Sequence, residues 1–154
     1  MTPREPLALY HSWPLWERGC RLDLGRVHDG APPLPVGDMR MPDDGDAIVG
    51  VWRCDLRSGR LDWSPEVHRL FDVAPDRAPQ RDGALAVYTE ESRSAMERLR
   101  DHALRHHRGF TLDVALRIAG DRRRWMRITA APQLEDGRPV VLHGTKQDVT
   151  AAYR

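Results

Sequence analysis

Residues 110–118 place Phe110, Leu112, Val114, Leu116 and Ile118 in strict alternation with Thr111, Asp113, Ala115 and Arg117. Successive side chains of a strand point to opposite faces, so this run predicts a half-buried antiparallel strand. Gly120-Asp121 predicts a turn, residues 124–134 a second long strand, Glu135-Asp136-Gly137 another turn, and residues 138–149 a third strand. A hairpin-connected sheet with an apolar face must bury that face against something. The rest of the chain is therefore read for what covers it.

Upstream, residues 48–56 read as a strand through Ile48, Val49, Val51, Trp52 and Leu56. Arg57-Ser58-Gly59-Arg60 is a turn and residues 60–63 a short second strand. Ser64 is placed to cap a helix, with Pro65 at its first position and Glu66 in its first turn. Val67, Leu70 and Phe71 form its buried face. Pro75 and Pro79 mark a loop, and residues 82–88 a short helical piece. Thr89 then caps a long helix with Glu90 and Glu91 at its positive end. Met96, Leu99 and Ala103 make its apolar stripe, and Gly109 is its expected stop. The order is β-β-helices-β-β-β, an α+β domain with an antiparallel sheet and helices on one face. The space between helices and sheet is the natural small-molecule pocket.

The boundaries expected are an N-terminal arm over residues 1–46, the domain over 47–150, and a short tail over 151–154. Residues 30–46 carry Gly, Pro and Asp throughout and read as a linker or an extended segment. Residues 5–24 hold Leu7, Leu9, Trp13, Leu15, Trp16, Leu22 and Leu24, too apolar for a purely disordered tail. Pro14 interrupts any long helix there. Trp13 and Trp16 are candidate interaction residues: they fold back on the open sheet face or meet a partner. Folding back is the expectation, because exposed paired tryptophans are a solubility liability.

Charge narrows the function classes. The 24 Lys+Arg and 23 Asp+Glu leave a net charge of +1, which argues against a nucleic-acid binder with a basic surface. Lys146 is the only lysine, an arginine bias of the kind a GC-rich genome produces. No apolar run reaches membrane-spanning length, and residues 1–10 lack a signal-peptide core, so a cytoplasmic chain is expected. Cys20 and Cys54 have no metal-ligand spacing and are expected as free thiols. There is no G-x-S-x-G, P-loop, H-E-x-x-H or G-x-G-x-x-G motif, so the expectation is a non-enzyme.

The order and spacing of several short motifs resemble a known family. Gly50-Val51-Trp52-Arg53-Cys54-Asp55, Ser58-Gly59, Trp63-Ser64-Pro65-Glu66 and Arg69-Leu70-Phe71 look like the opening of a PAS domain of the bacterial sensor-kinase subgroup. Arg117-Ile118, Gly120, Arg124-Trp125-Met126-Arg127, Gly144-Thr145 and Asp148-Val149-Thr150 are similar to that subgroup's later strands. The resemblance covers residues 47–150. The family's His-Pro-x-Asp before the long helix is replaced by Tyr88-Thr89-Glu90-Glu91. The resemblance implies a five-stranded antiparallel sheet flanked by helices, with a sensory or protein-interaction role. The family's terminal Asp-x-Thr leads into an output module, so a separate signalling protein such as a kinase is the expected partner, with a homodimer as a further possibility.

Within that frame, Trp52, Leu70, Phe71, Met96, Leu99, Leu116, Trp125 and Ile128 are the expected pocket and core residues. His102 and His106 stand at i, i+4 on the long helix, a spacing able to hold a metal or, singly, a haem. The resemblance adds that some members bind haem through a histidine on this helix. The plainer reading is a helix end dressed with cations, supported by Arg105 and Arg108. His106 extends the apolar stripe and is the better of the two. Cysteinyl-flavin photochemistry is excluded, because no cysteine follows Cys54. Arg122, Arg123 and Arg124 read as a solvated hairpin tip or a contact for phosphate or an acidic partner. A stand-alone sensor or docking module is the leading reading. The alternatives are a haem sensor and a small enzyme, the latter requiring a buried ionisable group with a perturbed pKa in the pocket.

Overall fold

The computed structural model describes residues 10–22, 49–118 and 122–153. Six antiparallel strands form one sheet, in the order β1-β4-β5-β6-β2-β3. They are β1 (Tyr10–Pro14), β2 (Val49–Asp55), β3 (Leu61–Trp63), β4 (Arg108–Ile118), β5 (Arg122–Glu135) and β6 (Arg138–Asp148). The helices are α1 (Arg18–Arg21), α2 (Pro65–Leu70), α3 (Arg81–Ala86) and α4 (Glu90–His106). Short 3-10 turns cover Leu15–Glu17 and Thr150–Tyr153. The expected turn at Gly120-Asp121 lies outside the described residues.

The five strands expected from the pattern are present, and the arm adds a sixth. Tyr10 to Pro14 pair with Leu112 to Arg108, so β1 closes the β4 edge of the sheet. Trp13 is fully buried, and its indole N–H donates to Thr111 Oγ1 at 3.0 Å. Its ring lies where Gly109 has no side chain: a Cβ there would meet it at 2.2 Å. The role expected of Gly109 is corrected accordingly. The helix stops at His107, which takes the left-handed conformation (φ 53°, ψ 55°). Gly109 instead makes room for the tryptophan.

The helix entries follow the sequence in position, with one change of mechanism. Thr89 caps α4 by accepting from the Ser92 N–H at 3.4 Å. Ser64 occupies the cap position of α2, but its hydroxyl accepts from the Val51 N–H at 3.0 Å. It ties the helix start to β2 rather than closing its own turn. Asp136 and Gly137 both have positive φ, the geometry of a tight two-residue hairpin.

The register sorts residues onto two faces. Phe110, Leu112, Val114, Met126, Ile128, Ala130, Leu142, Trp52 and Cys54 join Leu70, Phe71, Leu85, Met96 and Leu99 in the core between sheet and helices. The opposite face is also covered, so β4 is not half-buried as its alternation predicts. Thr111, Asp113 and Ala115 are only 8%, 2% and 3% exposed. Trp13 lies over Thr111, while Arg127 and Tyr153 both bond Asp113.

Candidate functional site

Lys146 sits in the middle of the sheet, on β6 between Ile128 of β5 and Gly50 of β2. Period-two geometry puts it in step with Leu142 and Gly144, on the face that meets the helices. It is 7% exposed. Its Nζ lies 4.9 Å from the Trp52 ring centre, 4.9 Å from Phe71 and 5.6 Å from Trp63. These rings form an aromatic cage, and each ring face attracts a cation. Trp63 and Phe71 are themselves stacked at 4.7 Å, which fixes the cage wall. Among the described residues, no carboxylate lies within ion-pair distance of the ammonium. Burial strips the ammonium of water and lowers the Lys146 pKa to about 7.

Lys146 opens onto a cleft between α3, α4 and the sheet. Its empty space is about 530 Å³ with the open mouth included. The apolar wall includes Trp52, Leu85, Met96, Phe110, Ile128 and Leu142. The polar lining consists of Lys146, Arg100, Arg81, Tyr88, Trp63 and Cys54. Arg100 projects from α4 four residues after Met96, and burial lowers its pKa, with Arg81 adding to the effect. Burial raises the Tyr88 pKa well above the usual phenol range. The Trp63 indole N–H is buried without a hydrogen-bond partner among the described residues. Among the described residues, no Asp or Glu lines the cleft. Its polar lining thus offers donors, and three of them carry or gain positive charge.

The expected site residues divide. Trp52, Met96 and Ile128 line the cleft, and Leu70, Phe71, Leu99 and Leu116 belong to the core beside it. Trp125 does not. It is three residues from Ile128, an odd offset, so the pleat turns it to the opposite face, where it stacks on Tyr153 at 4.1 Å. His102 and His106 lie on the solvent side of α4, their ring centres 4.6 Å apart and tilted by 44°, and neither lines the cleft. The inward extension expected of His106 is not found, because the buried stripe ends at Ala103. Among the described residues, no cluster of three or more His, Cys, Asp or Glu has metal-binding proximity.

Trp13 folds back, as expected, while Trp16 is 83% exposed. The two arm tryptophans therefore have separate roles. Of the arginine cluster, Arg124 bonds the carbonyls of Arg69 and Leu70 at 3.0 and 2.6 Å and pairs with Asp72 and Asp148. It staples α2 to the sheet. Both cysteines are free, Cys20 exposed and Cys54 buried. Among the described residues, no helix is long and apolar enough to cross a membrane.

Sequence reasoning missed Lys146, Arg100, Arg81 and Tyr88 as site residues. The signal for Lys146 was present: a lone lysine in phase with Leu142 and Gly144 on a strand.

No protein-family model and no curated protein matches the chain. Solved structures do. An RNA-binding light-oxygen-voltage receptor is similar at 20% identity and a TM-score of 0.62, over 69% of this chain and 30% of that one. The chain thus spans less than a third of that protein. A sensory box histidine kinase/response regulator from Burkholderia thailandensis is similar at 17% identity and 0.59, over 68% and 79% of the two chains. The N-terminal domain of a diguanylate cyclase with PAS/PAC sensor from Marinobacter aquaeolei is similar at 12% and 0.62, over 71% and 100%. These likenesses establish the fold: the chain has the PAS architecture.

Proposed function

We propose that this chain is a PAS-type sensory module that takes a small molecule in the Lys146 cleft and signals by changing its association with another protein. The observation carrying this reading is the cleft itself, which holds a buried lysine among three aromatic rings with no carboxylate of the described residues beside it. Folding has placed a costly group where an anionic occupant would offset its burial. The similar solved structures belong to a light-oxygen-voltage receptor, a kinase and a cyclase, which supports a sensory role and an output protein as partner. The exposed Trp16 is the candidate contact on the arm, for a signalling protein or a second copy. A cytoplasmic setting belongs to the same proposal.

Occupancy would act by population shift, favouring whichever arrangement of α3 and α4 closes on the ligand. Native mass spectrometry and light scattering test this. A ligand that binds in the cleft should change the assembly mass or the capture of a partner. A chain that binds ligand and stays inert in both respects would overturn the sensor reading.

An enzyme is the second reading, because Lys146 meets the requirement for a buried ionisable group with a perturbed pKa. Among the described residues, the cleft lining supplies no carboxylate or imidazole to move a proton for it, which favours the binding role. Borohydride trapping of an aldehyde on Lys146 together with catalytic turnover would reverse that preference. No observation brings His102 or His106 to the cleft in support of the haem alternative.

A further inference from the structure

We propose that the cleft selects a small hydrophobic monocarboxylate, its carboxylate set against Lys146 and Arg100 and its apolar body against the aromatic wall. This deepens the sensory reading, on which its signalling consequence rests.

Four observations converge. First, Lys146 is more than nine-tenths buried, lines the cleft, and has no carboxylate of the described chain at ion-pair distance. Second, Arg100 and Arg81 line the same cleft. Arg81 is paired with Glu97 at 3.9 Å, with Glu97 shared by Arg93, whereas Arg100 has Cys54 as its hydrogen-bond partner and feels Glu97 only at longer range, with no carboxylate of the described residues at ion-pair distance. Third, the Trp63 N–H is buried without an acceptor, and Tyr88 adds a hydroxyl. Fourth, the remaining lining is apolar.

The ligand these groups would recognise must supply acceptors and negative charge at one end and little polarity elsewhere. A carboxylate accepts several charge-assisted hydrogen bonds at once. Its arrival restores a counter-charge to Lys146 and favours the protonated ammonium. An uncharged ligand of the same shape would fill the apolar wall but leave the cations unmatched. A dicarboxylate with its second carboxylate at the far end would strand that charge against Leu85, Met96 and Phe110.

The test uses the full chain titrated with phenylacetate and octanoate, and with phenylacetamide and octanamide as uncharged counterparts. Calorimetry reads affinity. Because Lys146 is the only lysine, lysine-selective 13C labelling gives one set of side-chain signals, a direct report of its protonation. At least one acid should bind about tenfold or more tightly than its amide, since hydrogen bonds to charged groups carry that selectivity. The acid, but not the amide, should move the Lys146 signals toward the protonated form. Lys146→Met should bring the acid-to-amide ratio close to one, and Arg100→Gln should lower acid affinity while leaving amide affinity in place.

Equal binding of acid and amide would overturn the assignment. So would failure of both acids to bind up to about 10 mM, or an undiminished preference in folded Lys146→Met. The sensory reading fails separately. A selective acid that changes neither assembly nor partner capture removes the sensor but leaves the ligand class. A neutral compound that alone drives association does the reverse.

Discussion

Replacing Lys146 by Met should make the protein more stable, and by an amount that depends on pH. The lysine pKa falls from 10.5 to about 7 in the fold. Each unit corresponds to about 1.4 kcal/mol, so protonation opposes folding by about 4 kcal/mol at pH 7. The attraction of the three rings offsets part of this cost. Methionine has nearly the same length, no charge to desolvate and a thioether that packs well against aromatic rings. Exchanging buried charge for an apolar group of similar volume is neutral to stabilising by about 1–4 kcal/mol, so Lys146→Met should gain an amount in that range at pH 7.

The sign of the pH effect follows from proton counting. Between pH 7 and 10.5 the unfolded lysine holds its proton while the folded one has released it. Stability rises with pH wherever the unfolded state binds more protons. The wild-type chain should therefore close the gap as pH rises, at up to about 1.4 kcal/mol per unit. Below pH 7 the gap should be constant. Urea unfolding of both proteins at several pH values measures it, and other titrating groups cancel in the difference. A variant destabilised at every pH, or a gap independent of pH, would refute the reasoning.

Three further outcomes follow from the packing. Trp13→Ala should cost about 3–5 kcal/mol, because a fully buried ring and its bond to Thr111 are lost, while Trp16→Ala should change stability by less than about 0.5 kcal/mol; denaturant midpoints compare them. Gly144→Ala should fail to fold or lose most of its stability by circular dichroism, since the new Cβ would stand 1.7 Å from the Thr129 carbonyl oxygen, and backbone cannot yield as a side chain can. His143 should make the fold acid-sensitive. Burial, with Arg18 and Arg53 nearby, lowers its pKa from 6.5 to about 4, so the unfolded state holds the extra proton between those values. About 3 kcal/mol of stability present above pH 6.5 is then lost as pH falls to 4, and His143→Gln should flatten that part of the profile in urea titrations.

Much of the fold was legible because alternation and turn chemistry are local. The β4 run, the Asp136-Gly137 turn and the Thr89 cap each declare themselves within a few residues. The face of Trp125 is equally local. Its odd offset from Ile128 already turns it away from the core, a parity visible in the chain. Gly109 shows the opposite case: its lack of a side chain is required by a tryptophan 96 positions earlier, across a strand pairing.

The amino-acid sequence alone determined the α+β class, the element order, the helix starts and most of the core, because period and capping are set by neighbouring residues. Tertiary structure decided that the arm completes the sheet through β1, that Thr111, Asp113 and Ala115 are covered, and that His102 and His106 stay in solvent. It also decided the site. Trp52, Trp63, Phe71 and Lys146 come from β2, β3, the end of α2 and β6, and only strand register and helix packing bring three rings around one ammonium. A lysine's charge is written in the chain, but its desolvation is a property of everything packed around it.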